Sequence, residues 1–83
     1  MSRLFEAPMP IQVEIDTSGA PVSVAWAAGG HRVVEVCSRW RVDDDWWRVP
    51  VSRMYYTLRT PLALLEVYHD LRTNDWFLER MHD

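Results

Sequence analysis

Ile11, Val13 and Ile15 alternate with Gln12, Glu14 and Asp16. A strict period of two sends apolar side chains to one face of an extended strand and polar ones to the other. The remainder of the chain carries the same signal in short runs, separated by glycine, proline and small polar residues. "DTSGAP" reads as a turn, after which Val22, Val24 and Trp26 alternate with small residues. "AAGG" turns the chain again, with glycines free to take positive φ. His31 to Val42 is a longer run with Val34, Val36, Trp40 and Val42 on its even positions and Glu35, Arg39 and Arg41 on its odd ones. "DDD", residues 43–45, reads as a polar turn, and a further run starts at Trp46 and breaks near Pro50, because proline has no N–H for a ladder. That run resumes through Ser52 to Arg59, and Thr60-Pro61 ends it. Leu64–Leu71, a turn at "RTND" and Trp76–Met81 complete the chain.

Helix competes with strand only at "PLALLEVYHDL", where proline stands at a plausible first position and leucine and alanine favour helix. Its short length, and a Val67-Tyr68 pair just before a turn, favour strand. The expected fold is therefore all-β: a single small antiparallel meander of about five to six strands, closing into a barrel-like or strongly bent sheet. Twist and the need to protect sheet edges both favour such closure. Residues 1–9 are expected as a flexible lead and residues 10–83 as one β domain.

A chain of 83 residues has a thin core. Bulky aromatics thicken it, each burying on the order of 150–250 Å². The residues expected inside are Trp26, Val34, Val36, Trp40, Trp46, Tyr56, Leu65, Val67 and Trp76. The doubled aromatics Trp46-Trp47 and Tyr55-Tyr56 cannot both enter a core from a strand, since neighbours point to opposite faces. Trp46 and Tyr56 are assigned inward. Trp47 is assigned to the rim, and Tyr55 to an outer face with Arg39, Arg41, Arg53 and Arg59. Tyr68 and Phe77 are further candidates for that face. One reading is sheet reinforcement by cross-strand pairs, with Glu35, Glu66 and Glu79 neutralising the arginines. The other is a recognition face, because arginine, tyrosine and tryptophan dominate interface hot spots and also stack on single-stranded nucleic acid.

All nine basic residues are arginine, yet the net charge of −3 argues against coating nucleic acid by bulk electrostatics. Cys37 is the one cysteine, so no internal disulfide forms. His31, His69, His82 and Cys37 match no ligand spacing, no phosphate-cradling glycine loop is present, and a thin core leaves little room for a ligand pocket. These features point away from an enzyme, a metal site or a cofactor. "MSRLFEAPMP" lacks the apolar run of a secretory signal, and no stretch reaches a membrane span, so a cytoplasmic location is expected.

"RVVEVCSRWRVDDDWWR", followed by "SRMYYTLRT", "LLEVYHDL" and "WFLERMHD", resembles a bacterial domain of unknown function. That domain is similar to the extreme C-terminal region of ImuB-type proteins, relatives of Y-family translesion polymerases, and it also occurs in stand-alone form. The resemblance covers about positions 31–83, and positions 10–30 resemble only the stand-alone form. The matching positions are Trp40, Trp46, Trp47, Arg53, Tyr55, Tyr56, Tyr68, Asp70 and Trp76, none of them catalytic in that family. The resemblance implies a non-enzymatic protein-interaction module, an adaptor linked to translesion synthesis and DNA repair that docks a protein partner; the chain itself is expected as a monomer or weak dimer. Direct binding of single-stranded nucleic acid on the Arg/Tyr face is the alternative.

Overall fold

The computed structural model describes residues 2–27, 29–46 and 49–82, and the side chains among them except those of residues 2–6, 45, 46 and 49. Seven strands follow one another: β1 (Ser2–Ile15), β2 (Pro21–Trp26), β3 (Gly29–Arg32), β4 (Glu35–Trp46), β5 (Val49–Arg59), β6 (Leu64–Asp70) and β7 (Asp75–His82). They form one antiparallel sheet in the order β3-β2-β1-β7-β6-β5-β4, curled into a half-barrel. The fold is all-β as expected, with one or two more strands. Within the stretch 1–9, expected as a loose lead, β1 begins at Ser2; residues 2–4 and, past a shift of register, Met9 onward pair with β7, Ser2 standing opposite His82. β7 would otherwise expose a row of unpaired backbone groups along its outer side.

The turns have visible causes. In the β1–β2 turn, Asp16 Oδ1 accepts hydrogen bonds from Ser18 N, Ser18 Oγ and Ala20 N, and Gly19 takes a φ of 88° that a side chain would strain. Between β5 and β6, Thr60 Oγ1 accepts from the amides of Leu62 and Ala63 and donates to the Ala63 carbonyl. Those bonds commit the chain to a tight bend, and "LLEVYHD" runs on as strand rather than helix.

The core lies on the concave side. Val24, Leu58, Leu65, Val67 and Leu78 are fully buried there, joined by Ile11 and Tyr56. Leu65, Val67 and Tyr56 thus sit where alternation placed them. Trp26, Val36 and Trp76 pack against this cluster from its margin, half-buried. The Trp46 side chain lies outside the described residues.

Two core assignments are corrected. Val34 is 47% exposed. It belongs to no strand but to the two-residue connection between β3 and β4, where Val33 takes the core contact. Trp40 is 43% exposed and faces outward. The cause is a β-bulge: Val36 stands opposite Leu58, Ser38 stands opposite Thr57, and Cys37 between them has no mate. One extra residue inverts every later side chain on the strand. Trp40 therefore joins the face of Tyr55, while Arg39 and Arg41 move to the face of Tyr56 and Met54.

The acidic run is also relocated. Asp43, Asp44 and Asp45 extend β4 opposite Ser52, Val51 and Pro50, and the pairing continues to Trp46 opposite Val49. Asp43 is held in the strand by Arg41 Nε (2.6 Å) and by the Ser52 hydroxyl (2.7 Å). Pro50 is tolerated in β5 because β6 reaches only to the level of Arg53. The Pro50 carbonyl accepts from Arg72 on that open side, and a residue's N and C=O share a direction in an antiparallel strand. Its missing N–H therefore falls where no strand needs it.

Two backbone bonds join the halves of the half-barrel at one end. Val33 N donates to Val22 O on β2, and Val34 N donates to Arg59 O on β5. The chain thus crosses from one edge strand of the sheet to the other within two residues.

Candidate functional site

The bulge at Cys37 creates a row that alternation alone does not announce. Trp40 on β4 faces Tyr55 on β5, which faces Tyr68 on β6, which faces Phe77 on β7, which faces Pro10 on β1. Five neighbouring strands thus each contribute one ring to the convex face. Trp40 and Tyr55 stack with ring centroids 5.4 Å apart and planes 7° apart. Tyr55 and Tyr68 follow at 5.3 Å, tilted by 40°, and Tyr68 and Phe77 at 5.1 Å. Such pairs add about 0.5–1.5 kcal/mol each beyond area burial. The middle of the row is closed to solvent: Tyr68 is only 4% exposed although it faces away from the core. The row opens toward the sheet edge, at Trp40.

Arg53 clasps the row from the side. Its guanidinium lies 4.5 Å from the Tyr68 ring centre, and Nη1 donates to the Tyr55 hydroxyl at 3.2 Å. That hydrogen bond, with the nearby phenols and Asp70, raises the Arg53 pKa against the opposing effect of burial. Burial in turn pushes the Tyr68 phenol up. Arg59 lies on the same face and is paired with Glu35, Nη2 to Oε1 at 2.9 Å. Both partners are more than half exposed, so this pair contributes little to stability. Glu66 receives His82 Nε2 at 2.7 Å and lies 3.7 Å from Arg80 Nε.

Arg53, Tyr55 and Arg59 therefore share one face as expected, and Tyr68 and Phe77 join it. Arg39 and Arg41 do not. They stand on the opposite face, Arg41 bound to Asp43 by hydrogen bonds that hold the Asp43 carboxyl below the usual range, with Ser52 adding to the effect. Trp47 lies outside the described residues. Trp40 belongs to this face although sequence reasoning placed it in the core, and Pro10 at the far end went unnoticed. The pairing of a small Cys37-Ser38 step with a following aromatic was a faint signal for the bulge.

The histidines are dispersed. His31 lies against Trp26 with ring centroids 4.7 Å apart and planes tilted by 37°, its Nε2 buried and without a hydrogen-bond partner. His69 lies flat on Trp76 at 4.2 Å and bonds Asn74 Oδ1 at 2.7 Å. Among the described residues no group of three or more His, Cys, Asp or Glu could hold a metal ion. Among the described residues, two open surface depressions of about 410 and 420 Å³ are present. One lies between Pro10–Gln12 and Ala25–Ala27, the other between Asp43–Asp44 and Pro50–Ser52, and neither is enclosed. No described helix is long and apolar enough to cross a membrane.

The chain matches no protein-family model, no curated protein and no solved structure.

Proposed function

We infer that this protein is a non-enzymatic docking module that holds a protein partner through Trp40 and the aromatic row behind it. The observation that carries this reading is the combination of exposure and restraint at one residue. Trp40 is 43% exposed, yet its ring is fixed flat against Tyr55, which is itself braced by Tyr68 and Arg53. A large aromatic held in place before binding loses little entropy on contact, and tryptophan leads the residues that anchor interfaces. The resemblance to the C-terminal region of ImuB-type proteins suggests the partner class, a component of translesion synthesis or DNA repair.

Single-stranded nucleic acid is the second reading, and the row's geometry makes it the weaker one. A stacking platform offers free ring faces. Here the faces of Tyr55 and Tyr68 are taken by neighbouring rings, and Arg59 is occupied by Glu35. Pull-down from DNA-damaged bacterial cells with wild-type protein and Trp40→Ala, read by mass spectrometry, tests the docking reading. A repair protein captured by the wild type and lost with Trp40→Ala is expected. Equal capture by both sinks the role of Trp40. Titration with a single-stranded oligonucleotide addresses the other class: binding that weakens at a log–log salt slope near −0.7 per phosphate neutralised would favour nucleic acid instead.

A further inference from the structure

β4 ends the sheet, and its backbone reveals which groups it leaves unpaired. The carbonyl of Ser52 accepts from Leu71 N on the β6 side, so Ser52 points its backbone toward β6 and Arg53 points toward β4. Val42 is the mate of Arg53 and so turns its N–H and C=O inward to β5. Arg41 and Asp43, on either side of Val42, turn theirs outward to the open edge. From Ser38 to Trp46 the register is regular, so this edge is long and carries no bulge. Natural sheets avoid such edges or use them.

The sequence along the edge is Arg39-Trp40-Arg41-Val42-Asp43-Asp44-Asp45. Two copies of one strand joined antiparallel about a two-fold axis keep each side chain on its own face only when the axis passes through a residue. An axis at Arg39 or Arg41 sets arginine against itself, and one at Trp40 sets Arg39 against Arg41. An axis at Asp43 or Asp44 sets aspartate against itself. Like charges directly opposite are destabilising. Val42 alone remains. With the axis there, the Arg41–Asp43 pair of one strand, bonded within it at 2.6 Å, lies beside the same pair of the second copy with opposite charges facing, and Arg39 stands opposite Asp45, each twice by symmetry. The backbone agrees, since Arg41 and Asp43 are the residues with outward N–H and C=O groups, and they would exchange both bonds. Val42 would meet its own copy at the close, non-hydrogen-bonded position.

We propose that the β4 edge is a homodimer interface in which two copies of this chain pair antiparallel about Val42. The occupant is chosen by charge complementarity: no other register along this stretch lets the strand recognise itself. On the convex face each Trp40 then becomes a diagonal neighbour of the other copy's Val42, which brings the exposed end of both aromatic rows to the seam. The proposal is independent of the docking partner inferred above.

Sedimentation equilibrium of the full chain, from low micromolar to near-millimolar concentration, tests association. A reversible dimer is expected. Asp43→Arg should weaken it by about tenfold or more, because it places like charges opposite Arg41 at both symmetric sites. Arg41→Asp alone should do the same, and the double reversal Arg41→Asp/Asp43→Arg should restore the wild-type constant. In a Cys37→Ser background, Val42→Cys should form an intermolecular disulfide under mild oxidation, since a non-hydrogen-bonded antiparallel pair holds its Cα atoms about 4.5 Å apart. Ser38→Cys in that background should not, being several residues from the axis. A chain that stays monomeric throughout and does not cross-link at Val42→Cys overturns the proposal. So does a dimer indifferent to Asp43→Arg that cross-links at Ser38→Cys as readily as at Val42→Cys.

Discussion

Trp40 lies parallel to Tyr55, ring against ring, across the β4–β5 pair. The contact is outside the core, so its two members can be altered without opening a cavity. Trp40→Ala should lose about 1–2 kcal/mol, from one aromatic pair and partial burial. Tyr55→Ala should behave similarly. A double-mutant cycle should return a coupling of about 0.5–1.5 kcal/mol. Urea melts of the four proteins provide the measurement, and a coupling near zero would mean the rings do not support each other.

Tyr56 is the contrasting case. It is 6% exposed, in the core, and tilted against Trp76 at 5.5 Å. Tyr56→Ala should lose about 3–5 kcal/mol, comparable with the whole stability of a small domain. If thermal melts rank Tyr55→Ala as the worse of the two, the two faces of β5 have been exchanged.

Cys37 should be dispensable both in its chemistry and as the extra residue of the bulge. Its side chain is exposed, with a single long contact from Sγ to Glu35 at 4.0 Å. Cys37→Ser should change stability by less than about 0.5 kcal/mol. Deleting the residue should keep every side chain on its face, because Val36 and Ser38 then become neighbours opposite the neighbours Leu58 and Thr57 and the ladder turns regular. A deletion variant that no longer folds, or that buries Trp40, would refute the bulge.

Two limbs of the pH–stability curve follow from the titrating groups. Burial raises the phenols of Tyr56 and Tyr68. A raised folded pKa means stability that is complete below the ordinary tyrosine value of about 10 and is lost as pH climbs through the folded value. Denaturant midpoints should therefore fall above about pH 10, and less steeply in Tyr56→Phe. At the other end, the hydrogen bond from Ser18 lowers Asp16, and the bond from Arg41 lowers Asp43. Their contribution is present above the ordinary carboxylate value and lost as pH falls through the lowered one. Asp16→Asn and Asp43→Asn should flatten that acid limb, and unchanged slopes would remove both residues from the account.

The fold was legible where alternation, turn residues and pairing agreed. Leu65, Val67 and Tyr56 went to the core because no extra residue interrupts the count along β5 and β6, and "DTSGAP" became a turn because Asp16 caps it. Trp40, Arg39 and Arg41 failed together, for one reason. Their faces depend on counting residues from Val36, and a bulge changes the count without changing the pattern of residue types. The acidic run misled differently. Three consecutive aspartates are a good local turn signal, but Arg41 and Ser52 reward an extended Asp43 through contacts that lie across the hairpin. The convex aromatic row was half visible: Tyr55, Tyr68 and Phe77 could be placed outward singly, whereas their alignment required the register of four strands.

The paired bonds at Val33 and Val34 bear on how this half-barrel moves. They fasten β2 to β5 at one end of the molecule and nothing comparable joins the edge strands farther along, among the described residues. A sheet riveted at a single point opens like a clothes-peg, with displacement growing with distance from the rivet. Amide exchange should therefore be slowest for the Val33 and Val34 amides among the rim positions and quicken along the inward-bonded amides of β4 from Ser38 through Trp40 and Val42 to Asp44, a gradient set by leverage and not by local burial.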